Sequence, residues 1–319
     1  MRDGCSFCQT ARTGRLHLSR SGPNWVPDMT ESLLPPFFRI GPERPVSPVI
    51  LSVPHAGRDY GTHLLNAARL RKELLETLED RLVDRLIWRA TALGMTAFVA
   101  RAPRLEIDLN REERELDPSL IAPPLPSGGL VQSARTRGGL GLIPSRLTGS
   151  GPIWRERIPR AELDRRLDTI HRPFHAAIAE ALAQAKARFG DAVLIDCHSM
   201  PPRPRTDSEE NRPATIVFGD RHGSTISTDL LDAAMAASRA MGYRTACNAP
   251  YAGGYVVARH GRPETGVHAV QIEIDRAAYL DADLRTPGPG FEGMTRLIAG
   301  VAQAIEQRLL SGQVALAAE

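Results

Sequence analysis

Two stretches of the chain share one design, a short apolar run that ends in residues capable of chemistry. Ala192 to Ile195 are four consecutive apolar positions with no helical period, which predicts a strand buried on both faces. The run passes directly into Asp196-Cys197-His198-Ser199. Asp196 and His198 are two apart, so on an extended chain their side chains share a face. Pro48 to Val53 repeats the pattern and ends in Pro54-His55-Ala56-Gly57, where the glycine permits a tight turn. A lone histidine after a strand is most often a hydrogen-bonded core residue. Two at strand carboxyl ends, where open α/β sheets place their ligands, point toward a metal or general-base site.

The remaining pattern alternates helices and strands. Leu70, Leu74, Leu78, Leu82, Leu86 and Ala90 recur every four residues and predict one long amphipathic helix over 64–93. Asp80 and Asp84 share a face of it, one turn after Glu76, with Arg81 and Arg85 beside them as ion-pair partners. Met95 to Ala100 reads as the next strand. Arg104 to Arg111 alternates in the manner of a half-buried strand, with Leu105, Ile107 and Leu109 on one side and Arg104, Asp108 and Asn110 on the other. Arginine and asparagine on such a face call for an anion, or for a salt bridge from Asp108.

Residues 117–159 are dense in Pro, Gly and Ser and are read as a lid, because Ile143, Pro144 and Trp154 are poor surface residues. A second long helix is predicted over 161–189. On it His171 and His175 are four apart, yet Arg172 stands where a zinc-protease helix carries glutamate and Pro173 disturbs the turn, so the pair is read as structural. Further strands are expected at 215–218, 244–247 and 267–274, and helices at 225–241 and 290–310. The last strand carries Gln271 and Glu273 on one parity. A glutamate inside an apolar strand is a candidate for a raised pKa and general-base work, unless Arg276 pairs with it. Strands alternating with helices, without repeat or linker, predict a single α/β domain with a mixed, mostly parallel sheet flanked by helices.

Composition changes this picture little. The chain has 319 residues, 42% of them hydrophobic, and a net charge of +3. Its basic residues are almost all arginine, Lys72 and Lys186 being the only lysines, but 37 acidic residues offset them and no basic block occurs. Nucleic-acid binding is therefore not expected. No apolar run is long enough for a transmembrane helix and the first residues lack a secretory core, so a cytoplasmic protein without a membrane partner is expected. Residues 1–28 have no periodicity and are read as a disordered extension, with Met29 as the natural start of a domain over 29–319. Cys5 and Cys8 form a CxxC with no second pair to complete a zinc site.

Collected, the polar residues at strand ends and on the first helix are His55, Asp80, His198 and Glu273, with Arg104, Asn110 and Arg111. Two imidazoles and one carboxylate make an open zinc site, and a glutamate outside the ligand set can take a proton from water. Arginines then stabilise a developing oxyanion and hold a substrate carboxylate. That is the outline of an amide hydrolase acting on a small acidic molecule.

The segments SVPHAG at 52–57, EDRLVD at 79–84, RLEIDLNR at 104–111, DCHSMP at 196–201, GDRHG at 219–223, NAPYAGGY at 248–255 and QIEIDR at 271–276 together resemble the N-formylglutamate amidohydrolase family. That family looks like a relative of the zinc carboxypeptidases and aspartoacylases, so the resemblance implies a phosphorylase/hydrolase-like, zinc carboxypeptidase-like fold. It further implies hydrolysis of N-formyl-L-glutamate to formate and L-glutamate, a late step of histidine degradation, with one zinc ion or another divalent metal as cofactor. Carried over by position, His55, Asp80 and His198 are the metal ligands, with Asp59 and Asp84 as substitutes for Asp80, and Glu273 is the base. Arg104 polarises the formyl carbonyl, Asn110 and Arg111 grip the α-carboxylate, and Arg137, Arg259 or His260 meets the side-chain carboxylate. The implied partner is a small acidic N-acyl amino acid, and the implied assembly a monomer or homodimer. Two other readings are a related zinc hydrolase for a different N-acyl amino acid or peptide end, and a catalytically silent binding protein on the same fold.

Overall fold

The two apolar runs that end in histidine lie side by side at the centre of one sheet. A computed structural model of the chain describes residues 34–204 and 213–316, without the side chains of 127 and 312–316. The expected extension over 1–28, Met29 and the Cys5/Cys8 pair fall outside the described residues. Seven strands form the sheet: β1 (Phe37–Ile40), β2 (Val49–Val53), β3 (Thr96–Ala100), β4 (Ala192–Met200), β5 (Ile216–Gly219), β6 (Thr245–Cys247) and β7 (Val267–Asp275), in the order β1-β3-β2-β4-β7-β5-β6. β3, β2, β4 and β7 run parallel. β1 is antiparallel to β3, while β5 is antiparallel to β7 with β6 parallel to β5. This is a mixed, mostly parallel sheet in a single α/β domain, as the alternation of elements predicts.

Strand alternation sorts the core into two layers. On one face Val49, Leu51, Val53, Val193, Ile195, Cys197, Val270, Ile272 and Ile274 pack against α2 (Thr228–Ala240) and α4 (Phe291–Leu316). On the other, Ile50, Phe98, Leu194 and Ala269 pack against α1 (Arg172–Phe189) through Phe174, Ile178 and Leu182. That second face changes character partway along the strands. At their carboxyl ends the positions of the same parity become Ser52, Asp196, His198, Gln271 and Glu273, all buried. Burying so many polar groups is tolerable only where they satisfy one another or a ligand.

Two expected elements are built differently. The helix expected over 64–93 is divided into Thr62–Ala67, Lys72–Leu75, Glu76–Leu78, Val83–Leu86 and Trp88–Ala92. The division falls at the acids: the Asp80 amide bonds the His55 carbonyl at 2.9 Å, and Leu82 takes a left-handed conformation, φ 61°. Non-glycine residues reach that region only when the surroundings hold them there. Arg104 to Arg111 is likewise not a strand but a series of turns, although Leu105, Ile107 and Leu109 are buried as the alternation requires. Its carbonyls go to helical histidines instead of a ladder: Leu109 O to His175 Nε2 at 3.0 Å and Arg111 O to His171 Nε2 at 2.9 Å. His171 ends a π-helical turn, Leu167–His171, that joins Arg160–Arg166 to α1, where Pro173 removes a backbone donor and His175 follows. Both rings are thus engaged with backbone carbonyls of the 109–111 segment.

Residues 117–159 hold two short strand pairs, Ile121–Ala122 with Ile158–Pro159 and Arg146–Leu147 with Gly151–Pro152. Ile143 and Trp154 are buried there, and the Trp154 indole donates to the Pro144 carbonyl at 2.7 Å. Among the described residues no helix is long and apolar enough to cross a membrane.

Candidate active site

β2 ends one residue past its Ser52–Asp196 pairing and the chain turns beside the last residues of β4, which brings His55 and His198 to 4.7 Å between ring centroids. Asp80 arrives from the broken helical segment and completes a buried group of three. Its Oδ2 lies 3.3 Å from His55 Nδ1 and 2.9 Å from His198 Nδ1. Its other oxygen is fastened from outside: Ser199 Oγ and Arg276 Nη2 each donate to Oδ1 at 3.1 Å. One carboxylate oxygen is therefore anchored, and the second faces two imidazole nitrogens.

The far side of each imidazole is also held. His55 Nε2 lies 2.7 Å from Asp108 Oδ1 and His198 Nε2 lies 2.8 Å from Asp196 Oδ2, with Ser52 Oγ bonded to Asp196 Oδ1. A carboxylate behind each histidine fixes the ring and its tautomer, leaving Nδ1 as the donor atom toward the cluster, as metal-ligating histidines require. Two nitrogens and one oxygen of this kind fit a divalent cation with a position left open. The substitutes for Asp80 are engaged elsewhere, Asp59 with Arg101 and Asp84 with Arg58.

Electrostatics agree with this arrangement. Burial pushes Asp80 up, but its hydrogen bonds with His198 and His55 outweigh that and hold it well below the usual carboxylate range. Burial pulls His198 down, and Asp196 and Asp80 overcome it and hold the imidazole well above its usual value. Asp108 is likewise kept low against burial, by Arg104, His55 and Arg111.

Glu273 is different. Burial pushes it up to about 7, with His198 opposing and Asp80 adding to the rise. It lies opposite His198 in the β4–β7 register, and Gln271 Nε2 donates to its Oε1 at 2.8 Å. Arg276 serves Asp80 instead of pairing with this glutamate. The carboxyl thus sits near neutrality beside the donor set, the poise that a proton acceptor and donor needs.

Arg104 Nε donates to Asp108 Oδ2 at 2.8 Å, the salt bridge anticipated from sequence. Asn110 is sunk in the wall: its Oδ1 accepts from the Val256 amide at 2.8 Å and its Nδ2 donates to Gln271 Oε1 at 3.3 Å. Gly254 sits against this amide with no room for a side chain, since a Cβ there would overlap the Asn110 amide group. Arg111 is buried, with Nε on the Leu140 carbonyl and Nη1 on its neighbour's carbonyl, while Nη2 has no hydrogen-bond partner. Burial lowers Arg111 to about 10.

The three residues expected at the substrate side chain do not join this group. Arg137 is exposed and donates to the Gln132 carbonyl. Arg259 donates to Tyr255 Oη at 2.6 Å, and its charge bears on His171, His175 and Glu113. His260, in α3 (Tyr255–His260), is buried against His175 at 3.1 Å, behind the 109–111 segment. What the sequence reading missed are the supports: Asp108 and Asp196 behind the histidines, Gln271 on the glutamate, and Arg276 and Ser199 on Asp80. Parity marked Asp196 and Gln271 in advance; the other contacts are long-range.

A buried two-nitrogen, one-oxygen donor set beside a carboxyl whose pKa is pushed up to about 7 is chemistry that suits a hydrolase. The profile described as N-formylglutamate amidohydrolase matches residues 47–280, and the chain belongs to that family of enzymes. It is 33% identical over 239 residues to the N-formylglutamate deformylase of Pseudomonas aeruginosa, a match covering 73% of this chain and 82% of that relative. The N-formylglutamate deformylase of Pseudomonas putida is 26% identical over 242 residues, with the same coverage. The crystal structure of N-formylglutamate amidohydrolase from Ralstonia eutropha JMP134 superposes with a TM-score of 0.78 at 32% identity, covering 88% of this chain and 100% of that one. An Agrobacterium tumefaciens gene product of 19% identity shares the fold at a TM-score of 0.60, over 89% of this chain and 98% of that one.

Proposed function

We propose that this protein hydrolyses N-formyl-L-glutamate to formate and L-glutamate, with one zinc ion held by His55, Asp80 and His198, as a step in histidine degradation. The observation that carries the reading is Asp80 Oδ2 facing two imidazole Nδ1 atoms, each imidazole backed by its own aspartate, with Glu273 alongside. When bound, zinc supplies Lewis acidity to the formyl oxygen and the attacking water.

The chain's own residues supply the rest. Glu273 takes the proton from water as its oxygen attacks the formyl carbon. It then delivers that proton to the amide nitrogen as the C–N bond breaks, so that formate and a free amine leave. A carboxyl near neutrality serves both transfers at neutral pH. Arg104, oriented by Asp108, stabilises charge developing on the formyl oxygen. Arg111 offers Nη2 to the α-carboxylate and Asn110 shapes the wall beside it.

The test is formate release from N-formyl-L-glutamate by purified protein, before and after chelation and after zinc is returned. Turnover lost on chelation and restored by zinc is expected. Protein that holds one zinc yet leaves N-formyl-L-glutamate intact would remove the substrate assignment and direct attention to other N-acyl amino acids.

A further inference from the structure

N-formyl-L-glutamate carries two carboxylates besides the scissile amide, and the residues expected to meet the second one lie elsewhere. Among the described residues, Arg135 is a cation without a hydrogen bond or ion pair on a segment linked to Arg111. Arg135 sits on the short helix Ala134–Arg137, whose following turn is joined to Arg111. The docking is backbone-made: the Leu140 amide bonds the Arg135 carbonyl at 2.8 Å, and the Leu140 carbonyl in turn accepts from Arg111 Nε at 3.0 Å. Arg135 is exposed, and among the described residues its guanidinium makes no hydrogen bond or ion pair.

Its charge nevertheless reaches the site. It lowers Glu273 more than Arg104 does, it acts on Tyr251 in the glycine-rich turn, and it depresses Arg111 together with Arg104. Arg104, Arg111 and Arg135 therefore crowd one side of the cluster, and only Arg104 has a carboxylate within close bonding distance. Like charges held together in this way are costly until an anion arrives.

We propose that Arg135 binds the side-chain carboxylate of the substrate and sets the preference of this enzyme for an acidic N-formyl amino acid. Three cations then meet three oxygen-bearing groups, Arg104 the formyl oxygen, Arg111 the α-carboxylate and Arg135 the distal carboxylate. This assignment rests on the formylglutamate reading above.

The experiment compares kcat/KM for N-formyl-L-glutamate with that for N-formyl-L-glutamine, its neutral isostere, in the wild type, Arg135→Met and Arg135→Lys. In Arg135→Met the preference for the acid is expected to fall by about tenfold or more through KM, with the glutamine analogue little affected and Arg135→Lys intermediate. An unchanged preference in Arg135→Met overturns the proposal. To separate this from failure of the underlying reading, calorimetric binding of glutarate and of butyrate is measured on the same proteins loaded with zinc. A wild type without formylglutamate turnover removes the reading. Arg135→Met must still lose the glutarate advantage, and if it keeps it Arg135 is not the carboxylate site.

Discussion

Glu273 lies directly across the parallel β4–β7 ladder from His198, so a proposed base and a proposed metal ligand share one rung of the sheet. Their separation is set by the interstrand spacing, which the backbone hydrogen bonds fix, and not by loop geometry. Glu273→Gln keeps the hydrogen-bonding shape and removes the proton acceptor. It is expected to lower kcat by about 10²- to 10⁴-fold while zinc content stays near one per chain by metal analysis. Loss of zinc along with activity would make Glu273 part of the metal's support.

Asp80→Ala is expected to abolish stoichiometric zinc binding, since it removes the only oxygen donor of the cluster. Asp108→Asn and Asp196→Asn act more gently: each releases one imidazole from its carboxylate and should weaken zinc affinity by about 10- to 100-fold in a competition titration. Unchanged affinity in both would mean that the rings are oriented by packing alone.

Gly254→Ala tests the contact between the glycine-rich turn and the 104–111 segment. A Cβ there must displace the Asn110 amide, which also bonds Val256 and Gln271, the residue that holds Glu273. The expected result is a loss of kcat/KM of at least about tenfold with zinc still bound. Full activity would show that Asn110 can move without consequence.

The histidines behind the site give the protein an acid-sensitive support. Burial lowers His260 to about 4, Arg259 adding to the effect, and His175 is also held well below its usual value, chiefly by burial. The folded form is thus neutral where the unfolded chain, with histidine near 6.5, binds protons. Stability from His260 is present in full above about pH 6.5 and is lost as pH falls toward 4, by up to about 3 kcal/mol. Denaturant unfolding of the wild type and His260→Gln across that range should show a shallower pH slope in the variant. Equal slopes would assign the acid sensitivity to other groups.

The parts legible in the sequence are those governed by local period. Apolar runs at Pro48–Val53, broken only by Ser52, and at Ala192–Ile195 announced buried strands, and parity alone put Asp196 with His198 and Gln271 with Glu273. The same logic misled at 64–93. A leucine every fourth residue suits one long helix and equally suits short helices packed end to end, and the choice is made by the Asp80 amide bonding to His55. At 104–111 the alternation correctly reported which side chains are buried and said nothing of the backbone's partners, two histidines some 60 residues away. Arg135 and Arg137 were indistinguishable by position, because the sequence does not show that the Leu140 amide bonds the Arg135 carbonyl while the Leu140 carbonyl accepts from Arg111.

β7 carries Glu273, and the first residue past its end is the Arg276 that fastens Asp80. One stretch of backbone thus sets both the proposed base and the proposed third ligand. A slip of that strand by a single residue would turn Glu273 to the opposite layer and pull the anchor from Asp80 in the same movement. A shift of the β7 backbone is therefore felt at both groups at once, whereas a change confined to the Glu273 side chain leaves the anchor on Asp80 in place.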